Sequence, residues 1–203
     1  MRMEFEQVAD ISLIVELCLL TAIRTYYKTK YSRVLSFRAL HYEPRLLVML
    51  RWLLGSALLA LLVAILWRKA DSPVGTLTLT PVVRIIGAFG GLSALMLIRA
   101  AHHALGPAFS TTVDTEHVQN IITDGCYRWT RHPMYAGYLL LFLHLGLLSA
   151  NWLFALLGIA IILSLVIIRA PYEEQALLMK FPIEYGSYMK TTGALFPRIF
   201  KQR

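Results

Sequence analysis

Five apolar stretches run along the chain, at about residues 8–27, 46–67, 82–101, 134–150 and 152–168, with charged segments between most of them. A membrane-spanning helix needs about 20 mostly apolar residues. The first three stretches reach that length. The last two are shorter and only Ser149–Asn151 separates them, which predicts a tight helical hairpin. Each of the two lengthens at its far end, back to Pro133 and on to Ala170. The pattern predicts an all-α integral membrane protein, a single domain over 1–203 with about five transmembrane helices (8–27, 46–67, 82–101, 133–150 and 152–170). A C-terminal helical hairpin leads into a cytoplasmic amphipathic tail.

Composition agrees with a membrane class. Hydrophobic residues make up 57% of the chain, against ~45–50% in soluble domains. The start, "MRMEFEQVAD", is acidic, and Glu16 interrupts the first apolar run. A cleaved signal has a basic start and an unbroken apolar core, so the first stretch is expected to be a retained span. Cys18 and Cys126 give neither a disulfide framework nor metal-ligand spacing, and no metal site is expected.

The formal net charge is +8, and its placement carries more information than its size. The 24–45 connection holds Arg24, Lys28, Lys30, Arg33, Arg38 and Arg45, whereas the 68–84 connection holds only Arg68, Lys69 and Arg84. Positive loops stay cytoplasmic. Five spans then place the N-terminus outside, and the 102–133 loop and the C-terminus in the cytoplasm, of the cell membrane if the source is prokaryotic. The charge follows membrane topology and no aromatic–basic platform accompanies it, which argues against nucleic acid as a partner.

Polar chemistry collects in the 102–133 loop and the 169–203 tail. The final hairpin makes "RHPMY" (131–135) and "RAPYEE" (169–174) neighbours on one side of the membrane. Pro133 suits the first turn of a helix and pushes His132 toward an extended backbone. The amides that follow lie at the positive end of a helix dipole, a place for a ligand carboxylate. Arg169 and Glu173, four apart, share a helix face if Pro171 only bends the helix. A fixed cation and a fixed anion beside a helix N-terminus can grip a zwitterion.

Other polar residues have simpler readings. Arg128 and Arg131 alone read as interfacial cations, and Glu173 and Glu174 alone as a solvated helix face. His102–His103 reads as interfacial, His144 as a hydrogen-bonded packing residue, and Gly87–Gly91 as a close-packing surface. Glu16 and Arg51 are a possible pair between the first two spans.

The segments "DGCYRWTRHPMYAGYLL", "SANW" and "RAPYEEQALLMKFPIEYGSYMKTTGALFP", in this order and spacing, resemble the isoprenylcysteine carboxyl methyltransferase family, especially its short prokaryotic members. The resemblance covers about residues 95–200. It implies several spans and a cytoplasm-facing site for S-adenosyl-L-methionine. Carried over by position, cofactor contacts fall on Gln119, Asn120, Ile121, Ile122, Tyr127, His132, Pro133, Met134, Tyr135 and Glu173, and Arg169 faces the methyl acceptor as the catalytic and substrate-binding residue. Gln119 stands where the family often has His, and Phe181–Pro182 where it usually has Phe-Gly.

What the resemblance implies is a methyltransferase acting on the carboxylate of a lipidic, isoprenylcysteine-like acceptor, with membrane lipids as its other partners. A carboxylate is already a nucleophile, so no general base is required, in keeping with the lack of a Ser–His–Asp or Cys–His arrangement. The alternatives are a phospholipid amine N-methyltransferase, a nicotinamide-dependent membrane reductase, and a non-catalytic membrane protein on the same scaffold.

Overall fold

The computed structural model describes residues 2–31, 45–67, 74–106 and 120–198. Helix α1 covers Arg2–Tyr31, α2 Arg45–Trp67 and α3 Pro81–Leu105. A short 3-10 turn, Gly125–Arg128, precedes α4, Pro133–Leu148. Helix α5, Trp152–Ser164, continues through a π-helical turn at Leu165–Arg169 into α6, Ala170–Lys180, and α7 spans Pro182–Thr191.

Prolines set three of the helix starts. Pro81, Pro133 and Pro182 open α3, α4 and α7, where a missing amide costs nothing. Pro171 is different, because it lies one turn inside a continuing helix. Its ring and absent N–H are absorbed by the π turn before it, where the Ala170 amide reaches back five residues to the Leu165 carbonyl. The helix therefore bends without breaking, and Trp152–Lys180 runs as one 29-residue element. At 1.5 Å per residue it is about 43 Å long, more than a ~30 Å hydrocarbon core, so its last turns emerge from the membrane.

Each of the five expected stretches is helical. Among the described residues, Leu46–Trp67, Pro81–Leu105 and Trp152–Lys180 are long and apolar enough to cross a membrane, and the protein is an integral membrane protein. Helix α4 is apolar but only 16 residues long. Helix α1 has 30 residues but carries Asp10, Glu16 and Arg24 along its apolar stretch.

Helix α4 lies between α3 and α5, with α1 on α3 and α2 on α5. Lipid is as apolar as leucine, so close packing and polar contacts hold such helices together. A Cβ added at Gly87 would lie 2.6 Å from the Leu148 amide nitrogen and 2.9 Å from the His144 carbonyl, so only glycine lets the α3 and α4 backbones approach this closely. Gly90 makes room for the His144 ring and Gly91 for the Glu16 carboxylate. His144 Nδ1 donates to the Leu140 carbonyl at 2.7 Å, which is the packing role expected of it. Glu16 does not pair with Arg51. Its buried side chain turns to α3, because α1 packs on α3 while α2 packs on α5.

The end of the bundle remote from the 131–135 and 169–174 segments is tied by Arg84. Its Nε donates to the Leu148 carbonyl, the last of α4, at 2.9 Å and its Nη1 to Glu6 Oε1 at 2.7 Å. The Ser149–Asn151 turn is as tight as its sequence predicts, with Ala150 at φ 51. Asn151 caps α5 by accepting from the Phe154 amide at 3.0 Å.

Candidate active site

At the opposite end, the segment entering α4 is held by the tail that follows α7. Pro133 keeps His132 out of helical geometry (φ −124, ψ 59), so the amides before it need partners elsewhere. Arg131 N–H donates to the Gly193 carbonyl at 2.8 Å and His132 N–H to the Ala194 carbonyl at 2.9 Å. Thr130 Oγ1 donates to the Ala194 carbonyl at 2.5 Å. The Arg131 guanidinium reaches both Thr192 O (2.5 Å) and Met189 O (3.2 Å). Tyr188 Oη donates to the Tyr127 carbonyl at 2.6 Å. Burial pushes the Tyr188 phenol up to about 12, so it remains a neutral donor. These bonds strap the tail across the start of α4.

Two carboxylates from the first turns of α6 meet this segment. Glu173 Oε1 accepts from Arg169 Nε at 2.8 Å, and both its oxygens lie 3.3 Å from the Tyr135 hydroxyl. His132 Nδ1 is 4.0 Å from Glu173 Oε2. Glu174 Oε1 is 2.9 Å from His132 Nε2 and accepts from Arg131 Nε at 2.8 Å. The His132 and Tyr135 rings stack at 5.5 Å. Tyr127 lies buried behind them; burial first, then the neighbouring Cys126, Glu173, Tyr188 and Tyr135, hold its phenol well above the ordinary value. Glu173 keeps 26% of its side-chain surface open and is the more accessible of the two carboxylates.

The cluster gathers most of the residues singled out in the sequence. His132, Tyr135, Arg169 and Glu173 are in contact, buried Pro133 and half-buried Met134 form the first turn of α4, and Tyr127 stands behind. Arg169 and Glu173 do share a face, since the helix bends at Pro171. Exposed Asn120 and half-buried Ile121 and Ile122 lead toward the 3-10 turn and make no hydrogen bond to the cluster. Gln119 lies outside the described residues.

Two residues count for more than their sequence context suggests. Glu174 is not part of a solvated face but the joint between His132 and Arg131, and Arg131 is the strut of the tail rather than an interfacial cation. The adjacent acidic pair offered a signal: neighbours on a helix point about 100° apart, so Glu173 and Glu174 face different partners. The partners themselves come from residues some 40 to 60 positions away, which no local pattern reveals. His102 is likewise internal, with Nδ1 donating to the Ile98 carbonyl at 2.8 Å and its ring against Tyr27.

Residues 88–179 match the family model described as the isoprenylcysteine carboxyl methyltransferase family. The matched region runs from the glycines of α3 through both carboxylates of the cluster. The chain is 31% identical over 160 residues to methanethiol S-methyltransferase 2 of Bradyrhizobium diazoefficiens, covering 75% of this chain and 60% of that one. It is 27% identical over 110 residues to the protein-S-isoprenylcysteine O-methyltransferase of Saccharomyces cerevisiae, covering 54% and 45%. The chain thus spans about half to three fifths of the length of these curated relatives. Over residues 88–179 this chain is similar to the isoprenylcysteine carboxyl methyltransferase family, and both relatives are methyltransferases by name.

Proposed function

We propose that the protein is a membrane methyltransferase that uses S-adenosyl-L-methionine and methylates the carboxylate of a lipidic acceptor at the cytoplasmic membrane face. The observation that carries this is Glu173, a partly open carboxylate fixed by Arg169 and Tyr135 beside the start of α4. The donor set fits the cofactor. Carboxylates and aromatic faces suit an ammonium and a sulfonium, and the amides of the first α4 turn suit a carboxylate. Glu173 would take the amino group or ribose hydroxyls, with His132, Pro133, Met134, Tyr135 and Tyr127 around it, and Asn120 to Ile122 at the rim; Gln119 joins this set by the family resemblance alone.

When bound, the cofactor supplies an activated methyl group on a sulfonium that leaves as a neutral thioether. The chain's own residues have to align the acceptor oxygen and exclude water. No side chain need remove a proton from a carboxylate. Arg169 is assigned to the acceptor carboxylate, and its bond to Glu173 ties the acceptor side of the site to the cofactor side. A small thiol is the second acceptor class, favoured by the name of the Bradyrhizobium relative. A thiol must lose its proton, and His132, between Glu173 and Glu174, is the group placed to take it.

Helices α1 to α5 are each assigned one crossing, with the N-terminus outside and the C-terminus inside. Their alternating packing, which puts Glu6, Arg84 and Leu148 at one end and Tyr27 and His102 at the other, supports the alternation, and the positive 24–45 connection supports the side. In a Cys-free background, cysteines at Ser32 and Gln202 should resist an impermeant thiol reagent outside intact cells, and one at Ser72 should react. For the chemistry, the purified protein is incubated with radiolabelled S-adenosyl-L-methionine and a panel of lipidic acids, lipidic amines and small thiols. Label is expected on a lipidic acid, and label on amines alone would overturn the assignment.

A further inference from the structure

Helix α5 does not pass into α6 in phase. Across Leu165–Arg169 the turn is π-helical, and the Ala170 amide reaches the Leu165 carbonyl, five residues back. A single π turn holds about one residue more than the α turn it replaces. From Ala170 onward, each residue therefore lies about 100° and about 1.5 Å behind its place on an unbroken α-helix continued from α5. The displacement matters because the two carboxylates of the cluster are adjacent. Glu173 faces Arg169 and Tyr135, whereas Glu174 faces Arg131 and His132.

In an unbroken α register each residue of α6 would take the place now held by its successor. Glu173 would come to Arg131 and His132, where Glu174 stands. Tyr172, now 49% exposed, would come beside Tyr135, and Ile168 would fill the place of Arg169. The tail strap would keep a carboxylate, while the more open side of the cluster would lose both its acid and its guanidinium. Both registers satisfy Arg131, so the strap does not choose between them.

Pro171 does. In the α register its ring would press on the Ile167 carbonyl, four residues back, and that carbonyl would find no amide to accept from. The π turn lies on this same stretch and opens the helix there. Ile167 itself is 70% exposed, so the added residue is not explained by side-chain packing. We propose that Pro171 is a positioning residue: by imposing the π turn it directs Glu173, with Arg169, toward Tyr135 and assigns Glu174 to the strap. The inference rests on the reading of Glu173 as a cofactor carboxylate only where cofactor affinity is measured.

The test uses the full chain in detergent, with thermal unfolding and calorimetric binding of S-adenosyl-L-methionine as readouts. Pro171→Ala frees the helix to take the α register. Deletion of Ile167 together with Pro171→Ala removes the added residue and returns both carboxylates to their present places on an unbroken helix. In the parent chain Glu174→Gln should lower the unfolding temperature and Glu173→Gln should hardly change it. With Pro171→Ala the two should exchange, Glu173→Gln becoming the destabilising change, and the deletion should reverse the exchange. Cofactor affinity should fall about tenfold in Pro171→Ala, the loss of one charge-assisted bond, and should recover to within about threefold with the deletion. Deletion of Ile167 alone strands Pro171 in an α register and should melt well below the deletion combined with Pro171→Ala. A proline that merely bends the helix would change stability without any exchange. An unchanged carboxylate dependence in Pro171→Ala, an exchange that the deletion does not reverse, or equal melting of the two deletion variants would overturn the proposal. If exchange and reversal occur while cofactor affinity stays constant throughout, the cofactor role of Glu173 fails and the positioning role of Pro171 stands.

Discussion

Replacing Glu174 by Gln tests whether the tail strap and the site are one mechanical unit. The carboxylate accepts from Arg131 at 2.8 Å and meets His132 Nε2 at 2.9 Å, and all three side chains are less than a fifth exposed. A hydrogen bond to a charged group contributes about 1.5–3 kcal/mol. The glutamine carbonyl can still accept one bond at neutral strength, and residual solvent contact weakens the rest, so the net loss is about 2 kcal/mol. Arg131 also holds Thr192 and Met189, so the strap should loosen with it. Cofactor affinity measured by calorimetry should fall by roughly tenfold or more, because 1.4 kcal/mol is tenfold. Thermal unfolding in detergent should shift down in the same variant. A variant with a lower unfolding temperature but wild-type affinity would make Glu174 a strut only and refute the link between tail and site.

Glu173→Gln should show the opposite balance, with cofactor affinity down about tenfold and little change in unfolding temperature, since its carboxylate is the more open one. Gly87→Ala forces a Cβ to within 2.6 Å of the Leu148 backbone and should destabilise by about 1–3 kcal/mol. Gly55→Ala, with nothing within 4 Å, should not destabilise, and equal melting of the two variants would contradict the packing account. Tyr188→Phe removes the bond to the Tyr127 carbonyl, about 1 kcal/mol. Because folding raises this phenol from 10.0 to about 12, its contribution is complete below pH 10 and is lost as pH rises toward 12. Alkaline titration of stability should be shallower in the Phe variant, and identical curves would remove Tyr188 from the strap.

The sequence by itself determined the helices. Apolar length, the prolines at 81, 133 and 182, and the Ser149–Asn151 turn act through local sterics and local hydrogen bonding, so they are legible from neighbouring residues. The Arg169–Glu173 contact was legible for the same reason, because four residues of helix fix it. Only the tertiary structure decided that α1 packs on α3, sending Glu16 to Gly91. It alone decided that Glu174 joins Arg131 to His132 and that residues 192–194 close over the start of α4. Those pairings follow from which helix faces meet, and in a bilayer the apolar pattern does not distinguish a face buried against protein from one buried against lipid.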